Sequence, residues 1–168
     1  MFRDEINTVL RRNRLRFRLD ENGRIAEEYP KPVEELLAQD IYTAGDAELA
    51  QLISESAINI RSPDPSDRQS AIEQIWDAWE RIKTIKHADK KEGAKQILDI
   101  ASLNKPQFGE TIRTEAHELT KIGNTLRIRH SETTKELVET RAQTSYLYFR
   151  CFALIQLLSD ELRSNETS

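Results

Sequence analysis

The stretch SPDPSDRQSAIEQIWDAWERIKTIK, residues 62–86, decides the fold class of this chain. After the prolines at its start, apolar residues recur at steps of three and four: Ile72, Ile75, Trp76, Trp79 and Ile82. This spacing places them on one side of an amphipathic helix. We predict a helix from Pro65 to about Lys86, with both tryptophans in the core of a helical bundle.

The same periodicity covers most of the chain on either side. It predicts helices over residues 3–13, 33–41, 44–60, 94–101, from Pro106 onward, and 134–163. The last of these helices is apolar on more than one face between Tyr146 and Leu158. Such a helix needs the core on one side and either another helix or a second subunit on the other, so we expect a homodimer.

A short segment near the N-terminus has a different period. Residues 15–19 alternate strictly between apolar and basic, residues 20–23 supply turn chemistry, and residues 24–26 can return as a second strand. We therefore predict a mainly α protein: a helical bundle over residues 33–168, preceded by a helix and a small β-hairpin that form an appendage over residues 1–32.

Composition excludes several classes of protein. The 168 residues carry 38% apolar and 32% charged side chains with a net charge of -4, and they include one cysteine, Cys151. A single thiol excludes an intramolecular disulfide or a structural zinc site, and we expect Cys151 to be a buried small hydrophobe. The sequence has no secretory signal, no membrane-spanning run, no phosphate-binding glycine loop and no metal-ligand spacing, so we expect a cytoplasmic protein without cofactor or metal.

The first candidate functional constellation is a run of arginines in the N-terminal segment. No acidic residue falls between Arg11 and Leu19. The strand period predicts that Leu15, Phe17 and Leu19 face inward and that the intervening arginines face outward. These side chains suit RNA phosphates or a partner's carboxylates, although they equally suit a solvated edge strand that avoids wrong pairing. The candidate nucleic-acid-binding residues are Arg11, Arg12, Arg14, Arg16 and Arg18.

The second constellation lies at the end of the helix that begins at Pro106. On a continuing helix, Asn124, Arg127 and His130 project from one side because they are three residues apart. Histidine can remove a proton from a hydroxyl, and Arg127 or Arg129 can hold a phosphate. These groups could cleave RNA through its own 2′-hydroxyl without a metal. The alternative is a polar helix end whose basic residues face the C-terminal dipole.

Residues 6–25, INTVLRRNRLRFRLDENGRI, and residues 123–135, GNTLRIRHSETTK, precede a long apolar last helix. Together these segments resemble bacterial HEPN-superfamily domains, especially the AbiJ-like abortive-infection type. The resemblance implies a helical bundle, dimerisation, a role in antiviral defence and metal-independent endoribonuclease activity. In the family, an arginine precedes the catalytic histidine by a few residues. Here His130 matches the histidine, and Arg127 or Arg129 would replace an arginine that is absent from positions 123–125.

Two hypotheses follow for function. In the first, His130 is the base for the 2′-hydroxyl, Arg127 and Arg129 hold the scissile phosphate, and the arginine run positions the RNA. In the second, the chain is a catalytically inactive HEPN-like module that binds nucleic acid or a partner protein.

Overall fold

A computed structural model describes residues 2–126, 128 and 134–167 of the chain. In chain order, their helices and strands are α1 (Phe2–Arg12), β1 (Phe17–Leu19), β2 (Ile25–Glu27), α2 (Lys31–Leu37), α3 (Ala47–Asn59), α4 (Pro65–Ile82), α5 (Lys90–Ser102), α6 (Pro106–Thr125) and α7 (Arg141–Glu166). The two strands pair antiparallel, with Arg18 opposite Ala26. The predicted mainly α fold with a small N-terminal hairpin is therefore confirmed.

Helix α4 lies at the centre of the bundle. It packs against α3 and α7, while α5 contacts α6 and α7. Trp76 and Trp79 are both buried in the core, which confirms the prediction made from their spacing. Helix α4 begins where the sequence predicts, because Asp64 caps it and Pro65 occupies its first position.

Helix α7 begins at Arg141, seven residues later than the predicted start at Thr134. The hydroxyl of Thr140 accepts a hydrogen bond from the backbone N–H of Gln143 at 3.2 Å. The Gln143 side chain accepts one in return from the N–H of Thr140 at 3.0 Å. This capping box fixes the helix start, and residues 134–140 before it are not helical.

The two faces of α7 differ in burial. Tyr148, Cys151 and Phe152 face the core, and the predicted burial of Cys151 is confirmed. Burial raises the pKa of the Cys151 thiol, which keeps the group protonated and unreactive. On the outer side, Leu157 and exposed Phe108 of α6 line an open groove of about 830 Å³ between the two helices. The expected homodimer stays a prediction.

Aspartate caps set the starts of two further helices. The Asp46 carboxylate accepts a hydrogen bond from the N–H of Leu49 and begins α3, and the Asp89 carboxylate begins α5 in the same way. As a result α5 starts four residues before the predicted Ala94.

The first turn of α5 lies close to the end of α4, where a Cβ at Gly93 would overlap the carbonyl oxygen of Lys83. Only glycine fits that position.

A backbone hydrogen bond joins the N-terminal hairpin to the end of α3. Helix α2 begins at Lys31, so the expected boundary between residues 32 and 33 falls inside a helix. The backbone N–H of Glu27 in β2 donates to the carbonyl of Arg61 at 2.6 Å. Among the described helices, none has the length and apolar character that crossing a membrane requires.

Candidate functional site

Helix α1 and the hairpin form one structural unit. The side chain of Asn7 donates to the carbonyl of Leu19 at 3.1 Å and accepts from the N–H of Leu19 at 2.7 Å. These two bonds pair the helix with the outer edge of β1 as a neighbouring strand would. The arginines at the end of α1 and those on β1 are thereby held at fixed relative positions.

Helix α1 ends in a Schellman motif centred on Arg14. The N–H of Leu15 donates to the carbonyl of Leu10, and the N–H of Arg14 donates to the carbonyl of Arg11, both at 3.0 Å. Arg14 adopts φ 55°, the left-handed conformation that glycine normally supplies at this position. A residue with a Cβ is about 1–2 kcal/mol less stable than glycine there.

The five predicted arginines are all exposed. We call Arg11, Arg12, Arg14, Arg16 and Arg18 the arginine surface. Three of them, Arg12, Arg14 and Arg16, make no side-chain hydrogen bond or ion pair with any described residue. Arg11 donates to the carbonyl of Asn7 at 3.4 Å, and Arg18 lies 3.8 Å from a carboxylate oxygen of Glu34. Most of this positive charge is therefore free for a ligand.

The predicted strand alternation holds only in part. Phe17 and Leu19 are half-buried as expected, but Leu15 is 48% exposed because it belongs to the helix end rather than to β1. Arg16 and Arg18 share one face of the hairpin, since the N–H of Glu28 donates to the carbonyl of Arg16 next to the Arg18–Ala26 pair. Arg14 is exposed at the end of α1, two residues before Arg16 in the sequence.

A buried arginine fastens the opposite face of the hairpin to the bundle. Arg68 of α4 lies 3.6 Å from the carboxylate of Glu27, which also pairs with Arg141 of α7. The guanidinium of Arg68 donates to the carbonyls of Ile60 and Arg141 and to the hydroxyl of Ser145. Because a buried guanidinium is costly without such partners, this network fixes where the arginine surface lies relative to the bundle.

The predicted continuation of the helix that begins at Pro106 past Asn124 towards Arg127 and His130 is wrong at Leu126. Helix α6 ends at Thr125, and Leu126 is extended with φ -92° and ψ 155°. Asn124 is exposed in the last turn, while Arg127, Arg129 and His130 lie outside the described residues. Leu126 leaves the helix because it forms a parallel bridge with Glu136 of the connection before α7.

Two described residues close to these positions in the sequence, Ile128 and Lys135, contact other parts of the bundle. Ile128 is 1% exposed, and its carbonyl accepts a hydrogen bond from the side chain of Gln69 at 2.5 Å. The amine of Lys135 donates to the carbonyl of Gly123 at 3.1 Å. Gly123 itself packs on the indole of Trp76, where a Cβ would lie 2.6 Å from the ring nitrogen. A buried residue between Arg127 and Arg129 is a feature that the sequence analysis missed.

A cavity of about 730 Å³ adjoins Asn124 and is lined by paired charges. Burial favours a higher pKa for Glu80, but hydrogen bonds from Lys83 and Lys90 outweigh it and hold the pKa of this carboxyl below its ordinary value. Arg81 pairs with Asp46 at 2.8 Å. Because its lysines and its arginine are already neutralised, the cavity offers less to a phosphate than the arginine surface does.

The remaining histidines do not join the candidate residues. His117 is exposed on α6, and the ring of His87 accepts a hydrogen bond from the N–H of Asp89 at 3.0 Å. Within the described part of the chain, no three His, Cys, Asp or Glu side chains are placed to share a metal ion.

Two arginines outside the predicted set lie beside the arginine surface. Arg24 follows the hairpin turn, and Arg61 follows α3; both line a cleft with Arg18. The hairpin register places Arg24 on the same face as Arg18. Arg18 pairs with Ala26, and residues two positions apart on a strand, such as Arg24 and Ala26, share a face.

Comparison of the chain with protein-family models, with curated proteins and with solved structures found no match.

Proposed function

We propose that this chain is a HEPN-like RNA-binding protein that holds the phosphates of a strand on the arginine surface. The observation that carries the proposal is the exposed row itself, in which three of five guanidinium groups have no described partner. Guanidinium groups bind phosphate oxygens through paired hydrogen bonds, and each neutralised phosphate releases a counterion.

The conformation of Arg14 supports the proposal independently. Glycine is favoured at φ 55°, yet the chain has an arginine there. The arginine side chain makes no bond with any described residue that would offset this cost. A side chain kept at a destabilising position without a structural contact is more consistent with binding than with packing.

Arg14 therefore offers a test that separates binding from stability. We expect Arg14→Gly to raise the free energy of unfolding by about 0.5–1 kcal/mol, because relief of the left-handed backbone exceeds the additional chain entropy that glycine loses on folding. The same variant should weaken binding to a fluorescein-labelled single-stranded RNA in an anisotropy titration. A variant that binds RNA as well as the wild type would remove Arg14 from the proposed surface.

Replacing Arg14, Arg16 and Arg18 with glutamine in one variant tests the arginine surface as a unit. Each phosphate contact to a single strand contributes a slope of about 0.7 in log affinity against log salt, so the slope should fall by up to about 2. Arg113→Gln is the matched control, because Arg113 is equally exposed but pairs with Asp99 on another surface. An unchanged slope in the triple variant would contradict the proposal.

Metal-independent RNA cleavage is the second candidate function. The observation that favours it is Ile128, which is buried and accepts a hydrogen bond from Gln69 although its neighbours in the sequence are Arg127 and Arg129. In this mechanism His130 takes the proton of a 2′-hydroxyl, the 2′-oxygen attacks phosphorus, and the bond to the 5′-oxygen breaks. The 5′-oxygen takes up a proton from water, the protonated His130 returns its proton to the hydroxide that remains, and Arg127 and Arg129 balance the negative charge on the phosphate.

Incubation of the protein with RNA in a chelator tests this candidate. We expect the wild type to cut and His130→Ala to be inactive at an unchanged melting temperature. His117→Ala is the matched control, because His117 is exposed on α6 and plays no part in the mechanism. RNA that is bound but left intact would identify a HEPN-like module without the chemistry. A chain that neither binds nor cuts RNA would favour a partner protein instead.

The proposed defence role rests on the resemblance of residues 6–25 and 123–135 to abortive-infection domains. It predicts that cells expressing the wild type form fewer phage plaques than cells expressing His130→Ala.

A further inference from the structure

A cleft of about 650 Å³ separates the hairpin from the connection between α3 and α4. Its volume lies within the range of about 300–1,000 Å³ that is usual for small-molecule sites. The hairpin supplies one wall through both strands and their turn, and residues 58–63 at the end of α3 supply the other.

Three arginines line this cleft. Arg18 and Arg24 share one face of the hairpin, because Arg18 pairs with Ala26 and the N–H of Asp20 donates to the carbonyl of Arg24 at 2.8 Å. Arg61 approaches from the opposite wall, and Glu34 orients its guanidinium through hydrogen bonds of 3.1 and 3.3 Å. The cleft therefore has one fixed and two adjustable guanidinium groups.

The carboxylates at the cleft already have donors. Asp20 accepts the backbone N–H groups of Asn22 at 2.9 Å and Arg24 at 2.8 Å. Asp67 accepts the hydroxyl of Ser62 at 2.6 Å. The guanidinium of Arg24, in contrast, makes no hydrogen bond or ion pair with any described residue, so its charge is available.

The same cleft has an apolar side. Ile58 is 48% exposed on α3 and lines the cleft. An exposed isoleucine beside the unpaired guanidinium group of Arg24 matches a ligand that is anionic at one end and flat and weakly polar at the other. A nucleotide has this combination of phosphate and base.

We propose that this cleft binds one nucleotide unit, with its phosphate on Arg18, Arg24 and Arg61 and its base against Ile58. The inference rests on the proposed RNA binding, because the cleft continues the arginine surface through Arg18 and would take one unit of the same strand. A free nucleotide has the same chemistry, and the experiment distinguishes the two sources.

The test compares Arg24→Gln with Arg12→Gln in titrations with single-stranded RNA. Both side chains are exposed and make no described bond, but only Arg24 lines the cleft. We expect Arg24→Gln to weaken RNA binding about tenfold, because charge-assisted hydrogen bonds are lost, and Arg12→Gln to weaken it only about two- to threefold. Arg61 is unsuitable for replacement because its pair with Glu34 is part of the fold.

A second readout reports on the apolar wall. In a protein with labelled isoleucine methyl groups, RNA and 5′-AMP should each shift the signal of Ile58, and inorganic phosphate alone should shift it less. Ile58→Ala removes one apolar contact without opening the core, and it should weaken binding of 5′-AMP.

The outcomes distinguish a failure of the proposed cleft from a failure of the proposed RNA binding. If RNA binds but Arg24→Gln behaves like Arg12→Gln and the Ile58 signal does not move, the cleft is overturned and RNA binding stands. If RNA does not bind but 5′-AMP shifts the Ile58 signal, the cleft is a site for a free nucleotide and the proposed function falls. If neither probe binds, both proposals are overturned.

Discussion

The tryptophans of α4 and the arginines of α1 and β1 lie in two regions that are stabilised differently. Trp76 and Trp79 are enclosed by a core to which most of the helices contribute. Helix α1 has no buried residue and is held to the hairpin by the two hydrogen bonds of Asn7. The comparison teaches that the buried core of the bundle supplies most of the free energy of folding. The N-terminal unit has little core of its own and exposes charged side chains.

The largest expected effect tests the bundle side of this comparison. Trp79→Ala should lower the free energy of unfolding by about 3–5 kcal/mol, because it leaves a large cavity in the core. The matched change Phe2→Ala, at a residue that is 73% exposed on α1, should change it by less than about 0.5 kcal/mol. Urea denaturation measures both. A large loss for Phe2→Ala would show that α1 is packed in solution and would break the contrast.

The second prediction concerns the junction of the two regions. Glu27→Ala should destabilise the protein by about 3 kcal/mol, because the buried charge of Arg68 loses its carboxylate. Glu28→Ala, at the exposed neighbouring residue, is the control and should change stability little. If the two variants unfold alike, the hairpin is held by its backbone bonds rather than by Arg68.

Glycine substitutions sharpen the comparison at a smaller scale. Gly93→Ala should cost about 1–3 kcal/mol, because the new Cβ meets the carbonyl of Lys83 in the bundle. Gly23→Ala in the hairpin turn meets nothing within 4 Å and should cost only about 1 kcal/mol, from its positive φ of 76°. Thermal melting of both variants measures the difference, and equal losses would contradict the crowding at Gly93.

The smallest expected effect is the pH dependence of the ion pairs of Glu80. Its native pKa lies below the ordinary value of 4.5, so the stabilisation is complete above that pH and is lost as the pH falls through the native pKa. At pH 6 we expect the wild type to be more stable than Glu80→Gln by less than about 1 kcal/mol, which a higher melting temperature of the wild type would report. The gap should close towards pH 3. A gap that persists at pH 3 would mean that packing, not charge, stabilises this position.

Sequence patterns predicted which helices are present better than they predicted the residues at which those helices begin and end. Apolar spacing alone identified α4, because its core positions follow the helical period without interruption. Helix α5 began early because the carboxylate of Asp89 accepts backbone N–H groups, and α7 began late because of the capping box at Thr140. Caps depend on one or two polar side chains, so the apolar period does not reveal them.

The candidate site was predictable where it depends on local sequence. The exposure of the arginines follows from composition and from the strand period near Phe17. The end of α6 does not, because a bridge between Leu126 and Glu136 competes with helical continuation. Leu126 and Glu136 belong to separate elements, and so do Arg61 and Arg24 on the two walls of the cleft. A single sequence, interpreted one segment at a time, does not show that such residues lie close together.

The pairing of Asn7 with Leu19 also makes one backbone amide a reporter. An isolated hairpin of two three-residue strands is only marginally stable in water, so it depends on its neighbours. The N–H of Leu19 donates to the Asn7 side chain and can exchange with solvent deuterium only when α1 detaches. Its exchange rate therefore measures how often the N-terminal unit opens while the bundle stays folded, and bound RNA that bridges α1 and β1 would slow it.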